Sequence, residues 1–308
     1  MNCDVLVVGA SSSGLMAAIS AAREGSSVVL MDRDLEHLDH AANTLFEGMA
    51  ARSSISIESC YLVRVLDGMS IISPGGASVT IPAKGYFIDR QRFDERYLEA
   101  AEDEGVLLMR GEVKRTYADG GRRTVEYGEG EIDARVVVDA SGVGSRIAAQ
   151  AGLQPIRHPD DIAWALEATV EHPGLGEERL FQYWIGSIAP GWKATFSPAG
   201  GDRATLGVFV RGHGPDVQPF FSRFLQVFKA VKASSYRDIG AMRILSFRRG
   251  GDPIAVLPGE IVADSLMVTG GAAGQSGLAY SLRAGAICGS VAARAVQSGD
   301  CLLYTSDA

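Results

Sequence analysis

The sequence predicts an α/β protein in which a domain with a parallel sheet is interrupted by an inserted domain with an antiparallel sheet. Apolar strands that run into glycine turns and then into helices recur at the start, middle and end of the 308-residue chain, which is typical of a parallel sheet. Over residues 48–84 and 156–253, apolar and polar residues alternate instead, as in strands with one buried face. The parallel-sheet domain is therefore predicted to be discontinuous, over residues 1–47, 85–155 and 254–300.

Residues 4–32 are predicted to form a strand, a helix and a second strand around a turn of small residues. The first strand ends at Gly9, and the helix begins near Ser12. Such a turn presents backbone N–H groups and a helix N-terminus to a pyrophosphate. The second strand ends at Asp32, whose carboxylate can accept from both hydroxyls of an adenosine ribose. A Rossmann-like dinucleotide site is predicted; the alternative is an ordinary strand–turn–helix unit packed through small residues.

The turn departs from the usual G-x-G-x-x-G spacing at its middle glycine. Gly9 and Gly14 match the first and third glycines, but Ser11 stands at the second. A glycine there lets the backbone approach the phosphates, whereas Ser11 reduces the clearance and offers a hydroxyl. The predicted nucleotide-binding residues of this region are Gly9, Ser11, Ser12, Ser13, Gly14, Asp32 and Arg33.

Further elements follow from the same patterns. A helix over residues 91–104 is predicted to end before Gly105, because the residue that follows a helix is often a glycine. A strand over 106–114 and a hairpin at Gly120 come next. The predicted strands and helix of the inserted domain are 163–170, 179–185, 193–196, 203–210 and the helix 218–233.

Two more buried strands run into glycine turns. The strand 134–139 leads to a turn at Gly142, and the strand from Asp264 leads to Gly270–Gly274 and a small-residue helix over 278–297. A nicotinamide dehydrogenase does not need three such turns. A larger, bent cofactor does, because one turn holds its pyrophosphate and the others close over the remainder.

Composition and charge exclude several classes of protein. The chain is 46% hydrophobic and 21% charged, as expected of a globular protein. Its net charge of −8 and its lack of a Lys/Arg cluster argue against a nucleic-acid partner. The His and Cys residues are scattered, which predicts no metal site and a reducing cytoplasm. No apolar run reaches 18 residues, so the protein is expected to be cytoplasmic, with peripheral membrane contact left open.

Residues 301–308 do not continue the helical pattern that precedes them. They are interpreted as a non-native tail and are excluded from the fold prediction; the alternative is a natural frayed terminus. Under either interpretation, whether the natural protein extends beyond this point stays open.

Four motifs in this order resemble one family. They are the first turn with Asp32, the segment 88–94, the turn 138–145 and the turn 270–274. The chain resembles the flavin-dependent oxidoreductases of the p-hydroxybenzoate hydroxylase fold, and within it the geranylgeranyl reductase-like group, over nearly its whole length. The resemblance implies a Rossmann-like FAD-binding domain, an inserted substrate domain and FAD as the cofactor.

The resemblance assigns cofactor roles to residues of these motifs. Arg90 would reach the ribityl–phosphate region of the flavin; alternatively, it forms a surface salt bridge with Asp89 or Asp94. The backbone of Val113 would meet the adenine. Asp139 and Gly142 would support the pyrophosphate, while Asp139 can also cap the helix that follows. The residues implied near the third turn are Gly271, Gly274, Gly277 and Leu278.

The third turn also departs from the family. The family has aspartate where this chain has Gly271, which removes a hydrogen bond worth about 1.5–3 kcal/mol. The loop before the last helix is several residues shorter, and the cysteine that some relatives carry after the second strand is absent. Asn43 and Thr44 lie in that region and can hydrogen-bond the flavin edge instead. Weaker FAD binding is expected.

Aromatic residues of the inserted domain are candidates for an apolar substrate site. Tyr183, Trp192 and Phe196 are the predicted substrate residues. With them, Trp164, Phe181 and Trp184 can line a cavity for an isoprenoid chain. The alternative is that these aromatic residues form the core of the sheet, which is the commoner use of such side chains.

The leading functional hypothesis is a flavoenzyme that reduces C=C bonds of a hydrophobic, isoprenoid (geranylgeranyl-type lipid) substrate by hydride transfer from reduced flavin. The proton would come from water or an unidentified acid, and no catalytic residue is assigned. The reductant stays open among NAD(P)H, ferredoxin and another carrier. The alternatives are an FAD-dependent aromatic monooxygenase, a flavin-binding protein without catalysis and, less favoured, an NAD-dependent dehydrogenase.

Overall fold

The computed structural model describes residues 1–36, 38, 40–53, 55–128, 130–254 and 259–299. The chain divides into two compact units. The first unit takes in Met1–Leu38, Gln91–Arg157 and the chain from Pro253 onward, and the second Asp39–Arg90 and His158–Asp252. The predicted tail, 301–308, lies outside the described residues.

The described residues form strands and helices that are numbered here in chain order. The strands are β1 (Asn2–Val8), β2 (Val28–Asp32), β3 (Thr44–Phe46), β4 (Leu62–Ile72), β5 (Ser78–Ile88), β6 (Leu107–Arg110), β7 (Val113–Asp119), β8 (Arg122–Tyr127), β9 (Gly130–Asp139), β10 (Ile162–Glu171), β11 (Leu180–Trp184), β12 (Lys193–Pro198), β13 (Arg203–Arg211), β14 (Arg243–Pro253), β15 (Val262–Ala263) and β16 (Leu266–Val268). The helices are α1 (Ser12–Arg23), α2 (Glu47–Arg52), α3 (Arg90–Asp103), α4 (Ile147–Gln150), α5 (Gln218–Lys232) and α6 (Leu278–Ser298).

The first unit is built on a sheet with the strand order β15-β16-β9-β1-β2-β6. The pairs from β16 to β6 are parallel, while β7 and β8 extend the sheet as an antiparallel hairpin from β9. Val136, Val137 and Val138 of β9 are fully buried, because neighbouring strands and both faces of the sheet cover them. The predicted α/β fold class, with a central parallel sheet, is confirmed.

Two helices of the first unit pack closely through small residues. A Cβ atom added at Gly285 of α6 would overlap the carbonyl oxygen of Ser13, and one at Gly289 would overlap that of Ala17. The glycines therefore let α6 lie directly against the backbone of α1. This contact fixes α1, whose N-terminus carries the first glycine turn.

The second unit is built on a sheet with the order β14-β10-β13-β12-β11-β4-β5-β3. The pairs β10/β13, β13/β12 and β12/β11 are antiparallel, as the alternation predicts. One face packs on α5, where Phe221, Phe224 and Phe228 are buried. Along each strand, every second side chain points to the opposite face.

Some boundaries differ from the predicted ones. Residues 44–46 and 85–88, predicted for the first domain, form β3 and the end of β5 and pair within the second unit's sheet. The single strand predicted over 106–114 is two strands, because the chain breaks at Gly111 after pairing with β2. Strand β14 was not predicted.

Within the described part of the chain, no helix has both the length and the apolar character needed to cross a bilayer.

Candidate functional site

The three predicted glycine turns lie side by side in the first unit. Val8 pairs with Met31 on one side and with Asp139 on the other, and Asp139 pairs with Val268. The amide of Ala140 donates to the Val8 carbonyl at 2.8 Å, and that of Thr269 to the Asp139 carbonyl at 2.9 Å. The carboxyl ends of these parallel strands therefore meet at one edge of the sheet, where such folds bind ligands.

The first turn leaves no room for side chains at its glycines. Gly9 has φ +104°, and a Cβ atom there would lie 2.5 Å from the carbonyl oxygen of Ala140. A Cβ atom at Gly14 would overlap the carbonyl oxygen of Gly9 and lie 3.1 Å from the Cβ of Ala140. The turn thus fits tightly against the end of β9.

Ser11 is the N-cap residue of α1, and its side chain bonds within the turn. Its φ is −66°, so this position does not require a glycine. The Ser11 Oγ accepts from the Gly14 amide at 3.3 Å, donates to the Ala140 carbonyl at 3.1 Å and lies 3.0 Å from the Ser13 Oγ. Ser12 and Ser13 are buried, and the first turn of α1 contains no acidic residue. The positive end of the helix dipole can therefore attract an anion.

Asp32 lies at the end of β2 beside the first turn. One carboxylate oxygen accepts from the Ala10 amide at 2.7 Å, and the other from the Asp34 amide at 3.1 Å. The Asp32 carbonyl accepts from the Gly111 amide at 2.8 Å. That bond brings Val113, which is half-buried at the start of β7, to the same edge of the sheet.

Arg33 is exposed directly after Asp32, and its carbonyl accepts from the Arg110 Nε at 3.1 Å. This edge therefore carries an acidic group and two guanidinium-bearing residues.

The Asp139 carboxylate organises the second turn from inside. It is fully buried, and one oxygen accepts from the amide and the hydroxyl of Ser141 at 3.0 and 2.6 Å. The other oxygen accepts from the Ser145 hydroxyl and, at 3.2 Å, from the Ala148 amide of α4. The capping role considered for Asp139 is thus present, and the same bonds hold Gly142 at φ +88°.

Replacing Asp139 with alanine should lower the free energy of unfolding by about 3 kcal/mol. The reason is that the buried Ala148 amide and the amide and hydroxyl of Ser141 lose their acceptor. Urea denaturation of Asp139→Ala measures this loss, with Glu131→Ala, an exposed acid of the same strand, as the control. Equal stability of the two variants would contradict the prediction.

The third turn packs against the first two. A Cβ atom at Gly270 (φ +65°) would overlap the Ser13 Oγ. One at Gly271 would lie 3.4 Å from the Cα of Gly142, which is an ordinary contact distance. The Gln275 Oε1 accepts from the Gly270 amide at 2.6 Å. Sequence reasoning did not assign Gln275.

The third turn leads into α6 through two glycines with positive φ. Gly274 has φ +79° and Gly277 has φ +84°. Gly277 is the N-cap of α6, where it leaves the helix end uncovered by a side chain, and Leu278 is buried behind it. The first turn of α6 contains no acidic residue.

This cradle fits the pyrophosphate and ribose of FAD. Glycines let its three turns pack closely together, and the N-terminus of α1 lies beside them. The Asp32 carboxylate lies at the end of the neighbouring strand. Residues 4–37 match the family described as FAD dependent oxidoreductase. Digeranylgeranylglycerophospholipid reductase 1 of Methanothermobacter thermautotrophicus is 33% identical, and the match covers 96% of this chain and 78% of the relative.

The chain belongs to this reductase family, and FAD is its cofactor.

Another relative agrees with this placement, and solved structures agree with the fold. The digeranylgeranylglycerophospholipid reductase of Methanothrix thermoacetophila is 30% identical over 97% of the chain and 80% of its own length. A geranylgeranyl bacteriochlorophyll reductase-like protein from Thermoplasma acidophilum has a TM-score of 0.85 at 20% identity, over 97% of this chain and 80% of that one. The flavin-dependent brominase Bmp2 has a TM-score of 0.71 at 16% identity, over 96% and 80%. The predicted family is confirmed.

In the second unit of this reductase-family chain, Arg90 is buried. Its Nη1 donates to the carbonyl oxygens of Ala41 at 2.9 Å and Ala42 at 3.3 Å. Ala42 has φ +71°, a conformation that costs a residue with a Cβ atom of order 1–3 kcal/mol. Arg90 therefore holds a strained segment, and its predicted contact with the flavin stays a prediction.

Glu167 of β10 holds the same segment from the sheet. It is buried, and its Oε2 accepts from the Ala42 amide at 3.3 Å. Burial raises the pKa of the Glu167 carboxyl. Sequence reasoning missed this residue, since a single glutamate within an alternating strand usually points to solvent.

Asn43 and Thr44 turn their side chains to the sheet of the second unit. The Asn43 Nδ2 donates to the Thr205 Oγ1 at 3.3 Å, and the Thr44 and Ser197 hydroxyls lie 2.6 Å apart. These side chains are thus engaged within the unit, and their predicted contact with the flavin edge stays a prediction.

The candidate substrate residues lie in different surroundings. Phe196 is fully buried on the α5 face, 5.2 Å from the ring of Phe228. This burial favours the alternative that it belongs to the core, and its substrate role stays a prediction. The cause of this burial is the alternation along β12, which directs Phe196 to the helix. Trp184 packs there as well.

Tyr183 lies on the opposite face of the sheet and is half-buried, while Trp192 is 41% exposed. The Lys193 ammonium lies 4.9 Å from the ring of Tyr183 and 5.0 Å from that of Trp192. Tyr183 and Trp192 thus stay candidates for substrate contact.

Proposed function

We propose that this chain is an FAD-dependent reductase that saturates C=C bonds in the isoprenoid chains of a lipid. The observation that supports this most strongly is the 33% identity, over 96% of the chain, to a digeranylgeranylglycerophospholipid reductase. The three converging turns of the first unit agree with it, because they supply the cradle that such a reductase needs.

The proposed FAD ligands belong to this cradle. The first turn and the N-terminus of α1 would bind the pyrophosphate through Gly9, Ser11, Ser12, Ser13 and Gly14. Asp32 would bind the adenosine ribose, with Arg33 and the backbone of Val113 near the adenine. The proposed ligands toward the flavin are Gly142, Gly271, Gly274, Gly277 and Leu278, and Arg90 is proposed to reach its ribityl–phosphate region.

FAD, once reduced, supplies a hydride for addition to an alkene. The chain's own residues would bind, orient and shield the reacting groups. Asp139 holds the second turn in place through its buried hydrogen bonds, and the positive end of α6 would favour negative charge near the ring. A lipid substrate also implies peripheral contact with a membrane surface in the cytoplasm.

The test is to purify the protein, identify any bound flavin by mass, and reduce it chemically without oxygen. Addition of a geranylgeranyl-bearing phospholipid should then reoxidise the flavin and give a product heavier by two hydrogens for each C=C bond reduced. Oxygen-dependent turnover stimulated by aromatic compounds, without lipid reduction, would point instead to a monooxygenase.

Gly271→Asp is expected to tighten FAD binding about ten-fold or more. The position has room for a side chain, since a Cβ atom would meet its nearest neighbour at 3.4 Å. A carboxylate there can accept a hydrogen bond from a ribityl hydroxyl, worth about 1.5–3 kcal/mol.

Flavin fluorescence titration measures the effect of Gly271→Asp, with Gly271→Ala as the control for space alone. Gly270→Ala is a contrasting variant, because its Cβ atom would overlap the Ser13 Oγ. This variant should bind FAD more weakly than the wild type. Unchanged affinity in Gly271→Asp would remove Gly271 from the proposed ligands.

A further inference from the structure

The charges of this chain are unevenly distributed. Its net charge is −8, with 29 Lys and Arg residues against 37 Asp and Glu residues. Residues 217–251 of the second unit nevertheless contain a single acid, Asp238. The basic residues of this segment are Arg223, Lys229, Lys232, Arg237, Arg243, Arg248 and Arg249. The second unit thus carries a strongly basic segment within an acidic chain.

The basic segment ends in β14, which lies at the edge of the second unit's sheet. Alternation places four residues on one face of this strand, here called the β14 surface: Arg243, Leu245, Phe247 and Arg249. The face is the one on which α5 packs, because the ring of Phe247 lies 5.6 Å from that of Phe221. All four residues are still exposed, with Leu245 at 42% and Phe247 at 46%. The strand therefore presents two apolar side chains between two arginines.

Helix α5 adds basic groups beside the β14 surface. Its sequence, Gln218–Lys232, contains no Asp or Glu. The Lys229 ammonium donates to the Gly240 carbonyl at 2.8 Å, in the turn that precedes β14. Arg223 of the same helix is exposed. Helix and strand consequently contribute charge of the same sign to this side of the unit.

Ion pairs neutralise only part of this charge. Lys232 pairs with Glu178, and Arg243 pairs with Glu171. Asp238 lies in the turn between α5 and β14 and offsets one further charge. Because the segment has seven basic residues, it remains positively charged after these three acids are counted.

Exposed apolar side chains between basic ones fit the surface of an anionic lipid bilayer. Anionic headgroups attract Lys and Arg, and apolar side chains between them enter the boundary between headgroups and acyl chains. A nucleic-acid backbone would engage the arginines but would leave the aliphatic Leu245 without a partner. The combination of charge and apolar surface therefore favours a bilayer.

A second copy of this chain fits the β14 surface less well. In an antiparallel pairing that sets Leu245 against Phe247, Arg243 of each copy would lie opposite Arg249 of the other. Like charges directly opposite each other destabilise a pair of strands. Charged side chains of this kind keep edge strands from pairing with other chains.

We propose that the β14 surface docks this protein on an anionic lipid bilayer. Leu245 and Phe247 enter the boundary between headgroups and acyl chains. Arg243 and Arg249 contact the lipid phosphates on either side. This inference rests on the proposed function, since a lipid substrate is what brings a reductase to a bilayer, and it names the surface that makes the contact.

Co-sedimentation with vesicles tests the docking. The full chain should bind vesicles made of equal parts of phosphatidylglycerol and phosphatidylcholine. It should bind vesicles of phosphatidylcholine alone at least about ten-fold more weakly, because these lack net negative charge. Added salt should weaken binding to the anionic vesicles by screening exposed charges. Equal binding to both kinds of vesicle, or binding that salt does not change, would overturn the proposal.

Substitutions locate the contact. Arg249→Gln should weaken binding to the anionic vesicles about five-fold, the effect of one basic residue near such a surface. Leu245→Gln should weaken it about ten-fold or more, because a polar side chain no longer gains from leaving water. The matched controls are Arg115→Gln, an exposed arginine of β7, and Val79→Gln, an exposed valine of β5. Both controls should bind as the wild type does; test variants that bind equally well would refute the assignment.

Two other partners would give different results. If Arg249→Gln and Leu245→Gln change the oligomeric state in analytical ultracentrifugation but not vesicle binding, the surface is a contact between copies. If the wild type binds a DNA oligonucleotide more tightly than the anionic vesicles and Arg249→Gln loses this binding, the partner is nucleic acid. Either result overturns the proposal.

Turnover separates the docking from the proposed function. With the lipid dissolved in detergent, Arg249→Gln and Leu245→Gln should reduce it as fast as the wild type, because no bilayer has to be reached. With the lipid in dilute anionic vesicles, both variants should be slower in proportion to their lost binding. Equal rates on vesicles would count against the docking surface alone. Absence of lipid reduction by the wild type in detergent and in vesicles would count against the proposed function, while vesicle binding would still decide the docking.

Discussion

Gly14→Ala is expected to abolish FAD binding and to lower the free energy of unfolding by about 3 kcal/mol. The new Cβ atom would overlap the carbonyl oxygen of Gly9 and lie 3.1 Å from its carbonyl carbon. Neither group can move away easily, because Gly9 is itself packed against Ala140 at the end of β9. The turn would have to open, and the amides that it presents would move with it.

Two measurements check the Gly14 prediction. Flavin fluorescence titration follows binding, and urea denaturation of the flavin-free protein follows stability. Gly128→Ala is the control, since Gly128 lies in the same unit and has no heavy atom within 4 Å of an added Cβ. A Gly14→Ala variant that retains FAD as the control does would show that the first turn is not part of the site.

The contact between α1 and α6 should be the next most sensitive feature. Gly285→Ala and Gly289→Ala are each expected to lower the free energy of unfolding by about 2 kcal/mol. An added Cβ atom would lie 2.8 Å from the carbonyl carbon of Ser13 or of Ala17 and would overlap the attached oxygen. In an exposed helix the same change would stabilise by about 1 kcal/mol, so steric overlap must outweigh helix propensity.

Movement of α1 should also weaken FAD binding, because the N-terminus of this helix carries the first turn. Denaturation and flavin titration of both variants test the two effects together. Ser290→Ala, next to Gly289 and half-buried, is the control and should be neutral or slightly stabilising. Gains of stability in the glycine variants would mean that the two helices do not depend on glycine for their contact.

Local patterns were enough to predict the cofactor cradle. A buried strand that ends at Gly9, a capped helix and a carboxylate at Asp32 are set by neighbours in sequence, and each element follows from hydrogen bonding and φ preferences. The prediction that the three turns lie together is confirmed, because parallel strands place their carboxyl ends at one edge of a sheet. The order of those strands still required the structure.

The second unit was less predictable. Alternation located β12 and its two faces, but it did not decide which face packs on α5, where Phe196 lies. Asn43 and Thr44 bond with residues more than 150 positions later in the chain. No local pattern in the sequence carries information about such partners.

The sequence by itself determined the fold class, the three glycine turns that we propose to bind FAD, and the family, because these depend on the order and local geometry of short motifs. Only the tertiary structure decided that Ser11 caps its helix and that the buried Asp139 carboxylate accepts the hydrogen bonds that order the second turn. It also decided that Glu167 is buried and accepts from the Ala42 amide. Burial, strain and a raised pKa arise from neighbours that are distant in sequence. They exist only after strands β10, β12 and β13 have come together.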